Sequence, residues 1–196
     1  MSDFDGVPGL VEVIEKHRET TIVVEPAELI AAATALRDEH GFNFLSDITA
    51  VDYLGWGSKG VSGYIGTPDG RDLNEPMTQG YQVVPLPKPQ RFAINYHLLS
   101  ISERPRRVRL QVWLADGQAV ATVIPVWPTA DWHEREAFDL MGIRFDNHPD
   151  LRRILMADDW EGHPLRKDYV FPREYHGIPA SVELDWQQKP DYPKGN

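Results

Sequence analysis

Two runs of strict alternation narrow the fold more than anything else in this chain. Phe92, Ile94, Tyr96 and Leu98 are apolar at every second position, and so are Val108, Leu110, Val112 and Leu114. A period of two divides side chains between the faces of a strand. Arg104-Pro105-Arg106 lies between the runs and reads as a turn, because proline fixes φ and donates no ladder hydrogen bond. The pair predicts an antiparallel hairpin. One face is buried; the other, carrying Arg107, Arg109 and Gln111, is basic and wet. Ala119 to Ile124 is expected to add a third strand, closed off by Pro125 and Pro128.

Upstream, Val7, Leu10, Val11 and Ile14 fall on one face at helical spacing, with Pro8 in an acceptable first-turn position, so residues 7–18 are expected to be a helix. Thr21 to Glu25 is β-branched and reads as a strand. Pro26 to His40 reads as a helix with Leu29, Ile30, Ala33 and Leu36 inward and Gly41 as its stop. Phe42 to Leu54 reads as a strand bent near Ser46-Asp47. No glycine-rich phosphate loop follows any strand, so this is not a nucleotide fold. The expected class is α+β: a mixed or antiparallel sheet backed by helices, with a long extended C-terminal tail. Residues 1–142 form the core domain. Within it, 55–90 is a Gly/Pro-rich insertion, too long for an ordinary connection. Its Pro85-Leu86-Pro87-Lys88-Pro89 piece is a weak polyproline signal.

The densest stretch runs from Asp131 to Phe171. Asp131 followed by Glu134 predicts a capping box, with the helix running from Trp132 to about Met141 and Gly142 as a left-handed C-cap. Trp132, Arg135, Glu136 and Asp139 share one side of that helix, and Arg135 and Asp139 are an i,i+4 pair. Beyond Gly142 all periodicity stops. His148-Pro149 and His163-Pro164 are each forced extended before the proline, and each is followed by basic pairs, Arg152-Arg153 and Arg166-Lys167. Residues 143–196 hold many aromatics, which argues against a solvated disordered tail and for a segment that wraps a partner.

Composition removes several classes of chemistry. The net charge of −10 disfavours nucleic acid as a partner. The absence of cysteine excludes thiolate-held iron–sulfur clusters, zinc–thiolate sites and disulfides on this chain. No apolar run is long enough to span a bilayer. The short acidic N-terminus resembles neither a signal nor a transit peptide, so a cytoplasmic location is expected.

The polar residues have duller readings too. His133-Glu134 opens like a zinc-protease helix, but Ala137 stands where the second histidine is needed. His148, His163, Asp150 and Asp168 are candidate metal ligands only by type, since their spacing suits no helix face; no metal site is expected. Glu134, Glu136 and Asp139 lack the nucleophile or cleft signal a two-carboxylate hydrolase needs, so no catalytic residue is assigned. The favoured reading is an ion-pair network in which Glu134, Arg135, Glu136 and Asp139 meet Arg152, Arg153, Arg166, Lys167 or a partner's charges.

These motifs resemble, in order and spacing, the signature of the 30 kDa subunit of respiratory complex I, the C-type subunit of bacterial NADH:quinone oxidoreductase. The matching runs are Glu134, Arg135, Glu136 and Asp139; Gly142; His148, Pro149, Asp150, Arg152 and Arg153; and Gly162, His163, Pro164, Arg166, Lys167, Asp168 and Tyr169. A shorter match lies at Phe42 to Asp47 and Asp52 to Leu54. The resemblance implies an accessory subunit of the peripheral arm of a proton-translocating NADH dehydrogenase, on the cytoplasmic side of the inner membrane and reaching the membrane only through the complex. It implies that this chain supports the 49 kDa (D-type) quinone-site subunit and touches other peripheral-arm subunits. FMN, iron–sulfur clusters and quinone are then held by other subunits, with no cofactor here: part of an enzyme, but not its catalyst. It also implies the form not fused to the D-type subunit. The equivalent subunit of an energy-converting hydrogenase or ferredoxin-linked complex is the alternative, and a stand-alone metal-dependent hydrolase a remote one.

Overall fold

A computed structural model describes residues 3–56, 88–102, 104–172 and 174–179 of the chain. Most of the 55–90 insertion, its polyproline piece up to Pro87, and the tail from residue 180 onward therefore lie outside the described residues. The architecture is the expected α+β one. A five-stranded sheet has the order β1-β2-β5-β4-β3, with strands β1 (Leu10–Lys16), β2 (Glu19–Val24), β3 (Phe44–Asp52), β4 (Phe92–Ser100) and β5 (Arg106–Leu114). It is mixed: β2 runs parallel to β5 and every other pair is antiparallel. Helix α1 (Leu29–Asp38), entered through a 3-10 turn at Pro26–Glu28, carries the chain from β2 across to β3 at the far edge.

The alternating residues bury as their period demands. Phe92, Ile94, Tyr96 and Leu98 of β4 and Val108, Leu110, Val112 and Leu114 of β5 join Ile22, Val24, Ile48 and the apolar faces of both helices in one core. At about 25 cal/mol per Å² of apolar surface, each fully buried Leu or Ile contributes on the order of 2 kcal/mol. Ser46-Asp47 is indeed where β3 is irregular: a bulge shifts its register on β4 between Leu45 and Asp47. Gly41, at φ +77°, follows α1 as expected.

Several expectations are corrected. Residues 7–18 are not a helix but β1 and the turn into β2. His17 (φ 55°) and Arg18 (φ 64°) form that two-residue turn between paired Lys16 and Glu19, so it carries neither the Gly nor the Asn that announces such turns. Tertiary pairing on β2 overrides a helical spacing that was equally consistent with the residues. The second face of the β4–β5 hairpin is less wet than expected. Asn95 and Gln111 are buried and hydrogen-bonded to each other at 2.6 Å, Ala93 is buried, and Arg109 is held by Glu19 at 2.6 Å. Residues 119–124 do not add a strand to the main sheet. Only β6 (Val120–Ala121) forms, pairing in parallel with β7 (Phe145–Asp146). After β7 the described residues are irregular up to a small hairpin of β8 (Glu174–Tyr175) and β9 (Ile178–Pro179). Ile143 and Phe145 still belong to the core.

Candidate functional site

Helix α2 (Ala130–Met141) follows the Trp127-Pro128-Thr129 bend and packs against the edge strand β3. Its predicted C-cap is present: Gly142 has φ 74° and donates to Phe138 O at 2.9 Å. The predicted capping box is absent. The helix begins earlier than expected, with Thr129 at the N-cap and Asp131 in the first turn. Glu134 does not reach back to Asp131 N–H, because it points into the protein, where it is fully buried.

The signature segments of the tail fold back over α2 and satisfy its C-terminal end. Carbonyl groups there have no partner within the helix. His163 Nδ1 donates to Asp139 O at 2.8 Å and Leu165 N to Leu140 O at 2.9 Å. The His163 ring lies directly over Gly142; a Cβ on that glycine would sit 2.6 Å from its Cδ2. Gly is thus needed twice, for φ and for clearance.

Asp139 is the centre of the clasp. Arg153 Nη1 donates to Oδ1 at 2.7 Å, while Oδ2 accepts the consecutive amides of Ile154 (3.0 Å), Leu155 (2.8 Å) and Met156 (2.9 Å). Burial opposes charge on this carboxyl, but the three amides and the guanidinium outweigh it and hold Asp139 below the usual carboxylate range. Arg153 then continues outward to Trp160 O (2.9 Å) and Gly162 O (3.0 Å). One acid and one arginine therefore fix the backbone at five points across a stretch with no regular structure. Gly162 (φ 79°) faces the Tyr169 ring, whose hydroxyl accepts from Trp160 Nε1 at 2.9 Å.

Arg135 does not pair with Asp139, contrary to the i,i+4 expectation. Its guanidinium donates to the carbonyls of Arg152 (3.3 Å) and Arg153 (3.4 Å) and stacks on Trp132 at 4.9 Å. Packing of the tail supplied both residues with better partners. Glu136 is exposed. Arg152 side-chain Nε meets its neighbour Asp150, at 2.9 Å.

A second clasp holds the far end of the segment and was missed by sequence reasoning. Asp52, with a fully buried side chain at the end of β3, accepts from Arg91 Nε (3.0 Å), Arg91 Nη2 (2.9 Å), Leu54 N (2.9 Å) and Lys167 N (2.9 Å). Burial raises its pKa, and these donors more than reverse that. Arg91 also reaches Asp116 (2.6 Å) and Asp168 (2.7 Å), and Arg166 reaches Asp116 at 2.9 Å. Both guanidinium groups lie over the Phe92 ring. Arg91 holds the Asp168 carboxyl down to about 2. Asp52, Arg166, Lys167 and Asp168 stood out only as residues of the matching runs, with nothing to join them, and nothing marked Arg91 or Asp116. Arg166 thus joins acids within the chain, and Lys167 anchors through its backbone.

His148 and His163 are far from any joint metal role: His163 caps α2, while His148 Nδ1 accepts Asp150 N–H at 3.0 Å and its Nε2 faces Asp131 and Glu134. Among the described residues no cluster of three or more histidines and acids is placed to hold a metal. No helix among them is long and apolar enough to cross a membrane.

The model of the respiratory-chain NADH dehydrogenase 30 kDa subunit matches residues 22–175, a span that includes both clasps. The chain is 40% identical over 161 residues to the C-type subunit of NADH-quinone oxidoreductase from Geotalea uraniireducens, covering 82% of this chain and 78% of that one. Among solved structures it resembles the trypsin-resistant fragment of Nqo5 (TM-score 0.52, 27% identity, 71% of this chain and 89% of that one). It also shares its fold with a chain of an archaeal membrane-bound sulfane sulfur reductase (TM-score 0.57, 18% identity, 98% and 92% covered). With a family model matching residues 22–175 and a relative of 40% identity spanning most of each chain, this chain belongs to the 30 kDa subunit family of the respiratory-chain NADH dehydrogenase.

Proposed function

We propose that the chain is an accessory subunit of NADH–quinone oxidoreductase that carries no cofactor and no catalytic residue. It docks the 49 kDa quinone-site subunit on the cytoplasmic side of the membrane. The observation that carries this reading is the contrast between backbone and side chains in the C-terminal segment. The backbone is pinned by Asp139 and Asp52, yet Leu155 (60% exposed), Leu165 (56%) and Val170 (85%) face water, as do Phe171 and Ile178. Ordered apolar side chains facing water mark an interface, because holding them there has no benefit to an isolated domain. Exposed Trp132, stiffened by the Arg135 guanidinium stacked on it, is an anchor of the type that dominates binding energy. Sequence identity to C-type subunits of the NADH–quinone enzyme favours the NADH-linked complex over other membrane respiratory complexes that share the fold.

The test is a tagged pull-down from gently solubilised membranes, comparing the native chain with a Leu155→Ser, Val170→Ser double variant. Co-elution of NADH:quinone activity with the native chain and its loss with a variant of unchanged melting temperature support the reading. Co-elution of hydrogenase or ferredoxin-linked activity instead assigns the chain to a related complex. Recovery of the native chain alone overturns the docking role.

A further inference from the structure

On the second face of the β4–β5 hairpin, three aromatic rings meet whose side chains serve neither clasp. Tyr53 follows β3, Trp56 lies three residues on, and Trp113 stands near the end of β5. Tyr53 and Trp56 meet edge to face, with ring centroids 5.6 Å apart and planes at 89°. Tyr53 and Trp113 are 5.3 Å apart, tilted at 46°. Ala93, the cross-strand partner of Trp113, is fully buried and has nothing beyond Cβ to hold the rings apart. The Lys88 ammonium faces all three rings. Its Nζ lies 5.3 Å from the Tyr53 centroid, 5.7 Å from that of Trp56 and 5.9 Å from that of Trp113.

We propose that Tyr53, Trp56 and Trp113 form an aromatic cage for an alkylammonium group, filled in this chain by its own Lys88. An aromatic ring is negative on its face and attracts a cation within about 6 Å of its centroid. One such contact on a surface is commonplace; three converging on one nitrogen make a recognition geometry. The backbone prepares it from both sides. Trp56 N donates to Tyr53 O at 2.9 Å, a turn that brings the indole back against Tyr53. Tyr53 N donates to Arg91 O at 2.7 Å, and Arg91 is held by Asp52, so the stretch on which Lys88 leads into β4 is fixed beside the rings. Pro89 disfavours a helical backbone at Lys88 and keeps that stretch extended. The site is open to solvent: Lys88 is exposed, and a cavity of about 360 Å³ lies beside it, lined also by Tyr53 and Trp113. Glu12 and Glu19 line that cavity together with Lys16, His17 and Arg109, so no excess of acid accounts for a cation there. The rings do. At 5.3 to 5.9 Å from each centroid the nitrogen stands back from the ring faces, with space for methyl groups between. The ligand class is therefore an alkylammonium, from primary to quaternary.

The experiment is an NMR titration of the full chain with tetramethylammonium chloride, read at the indole N–H signals of Trp56 and Trp113, against sodium chloride at equal ionic strength. In Lys88→Ala the cage is emptied, and both signals are expected to shift together and to saturate. In the native chain the tethered lysine competes, so the apparent affinity is expected to be weaker by about tenfold. Lys88→Arg keeps a cation in place and should behave as the native chain does. Adding Trp113→Leu to Lys88→Ala should abolish saturable binding. Equal titrations of the native chain and Lys88→Ala, or no saturable shift in Lys88→Ala, overturn the proposal. If Lys88→Ala does not fold, the native chain decides. Its Lys88 ε-methylene protons, held over ring faces, should resonate upfield of those of exposed Lys16, and an ordinary position overturns the cage.

Discussion

Two carboxyl groups on α2 are completely buried, and the protein treats them in opposite ways. Asp139, at the C-terminal end under the tail, is surrounded by one guanidinium and three amides, and stays ionised. Glu134, facing the sheet, has one amide, one hydroxyl and a neighbouring carboxylate, and its pKa rises to about 7. Neither side chain touches water, but Glu134 lies deeper and has fewer donors. A buried acid is a fixed anion only where the fold brings enough N–H groups to replace water. Asp139 can therefore organise an irregular backbone, whereas Glu134 answers to pH.

The hardest way to break this contrast is Asp139→Ala. It leaves Arg153 and three amides without their acceptor, and a cost of about 3–5 kcal/mol is expected, as for other buried pairs cut on one side. The damage should be local: hydrogen exchange should rise at Ile154, Leu155 and Met156 well before it rises in β4 and β5. Loss of the whole sheet at the same denaturant concentration would show that the clasp and the core are one cooperative unit.

Titration is the next largest effect and separates the two acids by sign. Glu134 is raised from its ordinary 4.5 to about 7, so its contribution is complete below 4.5 and is lost as pH rises to 7, at most about 3 kcal/mol. Asp139 is lowered from 3.8, so its contribution is complete above 3.8 and is lost as pH falls through its native value. Denaturant melts across pH should give Glu134→Gln a flatter slope between 4.5 and 7 than the native chain, with no change in the acid limb.

Gly142→Ala is expected to cost about 1–3 kcal/mol, combining a left-handed backbone with a methyl driven into the His163 ring. A crystal structure of the variant should show His163 swung off Asp139 O; an undisplaced ring would mean that α2 yields instead. Asp116→Ala should have the smallest effect, under about 1 kcal/mol, because its side chain is half exposed and Arg91 keeps Asp52. A larger loss of Tm would make the second clasp as cooperative as the first.

How much of this was readable depended on whether the signal was local. The β4–β5 alternation, the inward face of α1 and the glycine after α2 are statements about neighbouring residues, and the structure keeps them. β1 was ambiguous because Val7, Leu10, Val11 and Ile14 satisfy a helical period, and the turn after it uses His17 and Arg18 in place of Gly or Asn. The acids of α2 were visible as a cluster, but most of their partners were not. Arg153, one of four basic residues expected to meet the cluster, does bind Asp139, but the i,i+4 pairing with Arg135 is not made and the backbone amides that complete the site carried no signal. Asp52 and Lys167 meet through a hydrogen bond spanning 115 positions.

By itself the sequence determined the sheet hairpin, the C-terminal ends of both helices, the absence of thiolate chemistry and the family, since each rests on the period, the backbone freedom or the chemistry of residues close along the chain. The tertiary structure decided which acid keeps its charge and which takes a proton. That depends on how many donors arrive in one place from distant segments, which no local pattern encodes.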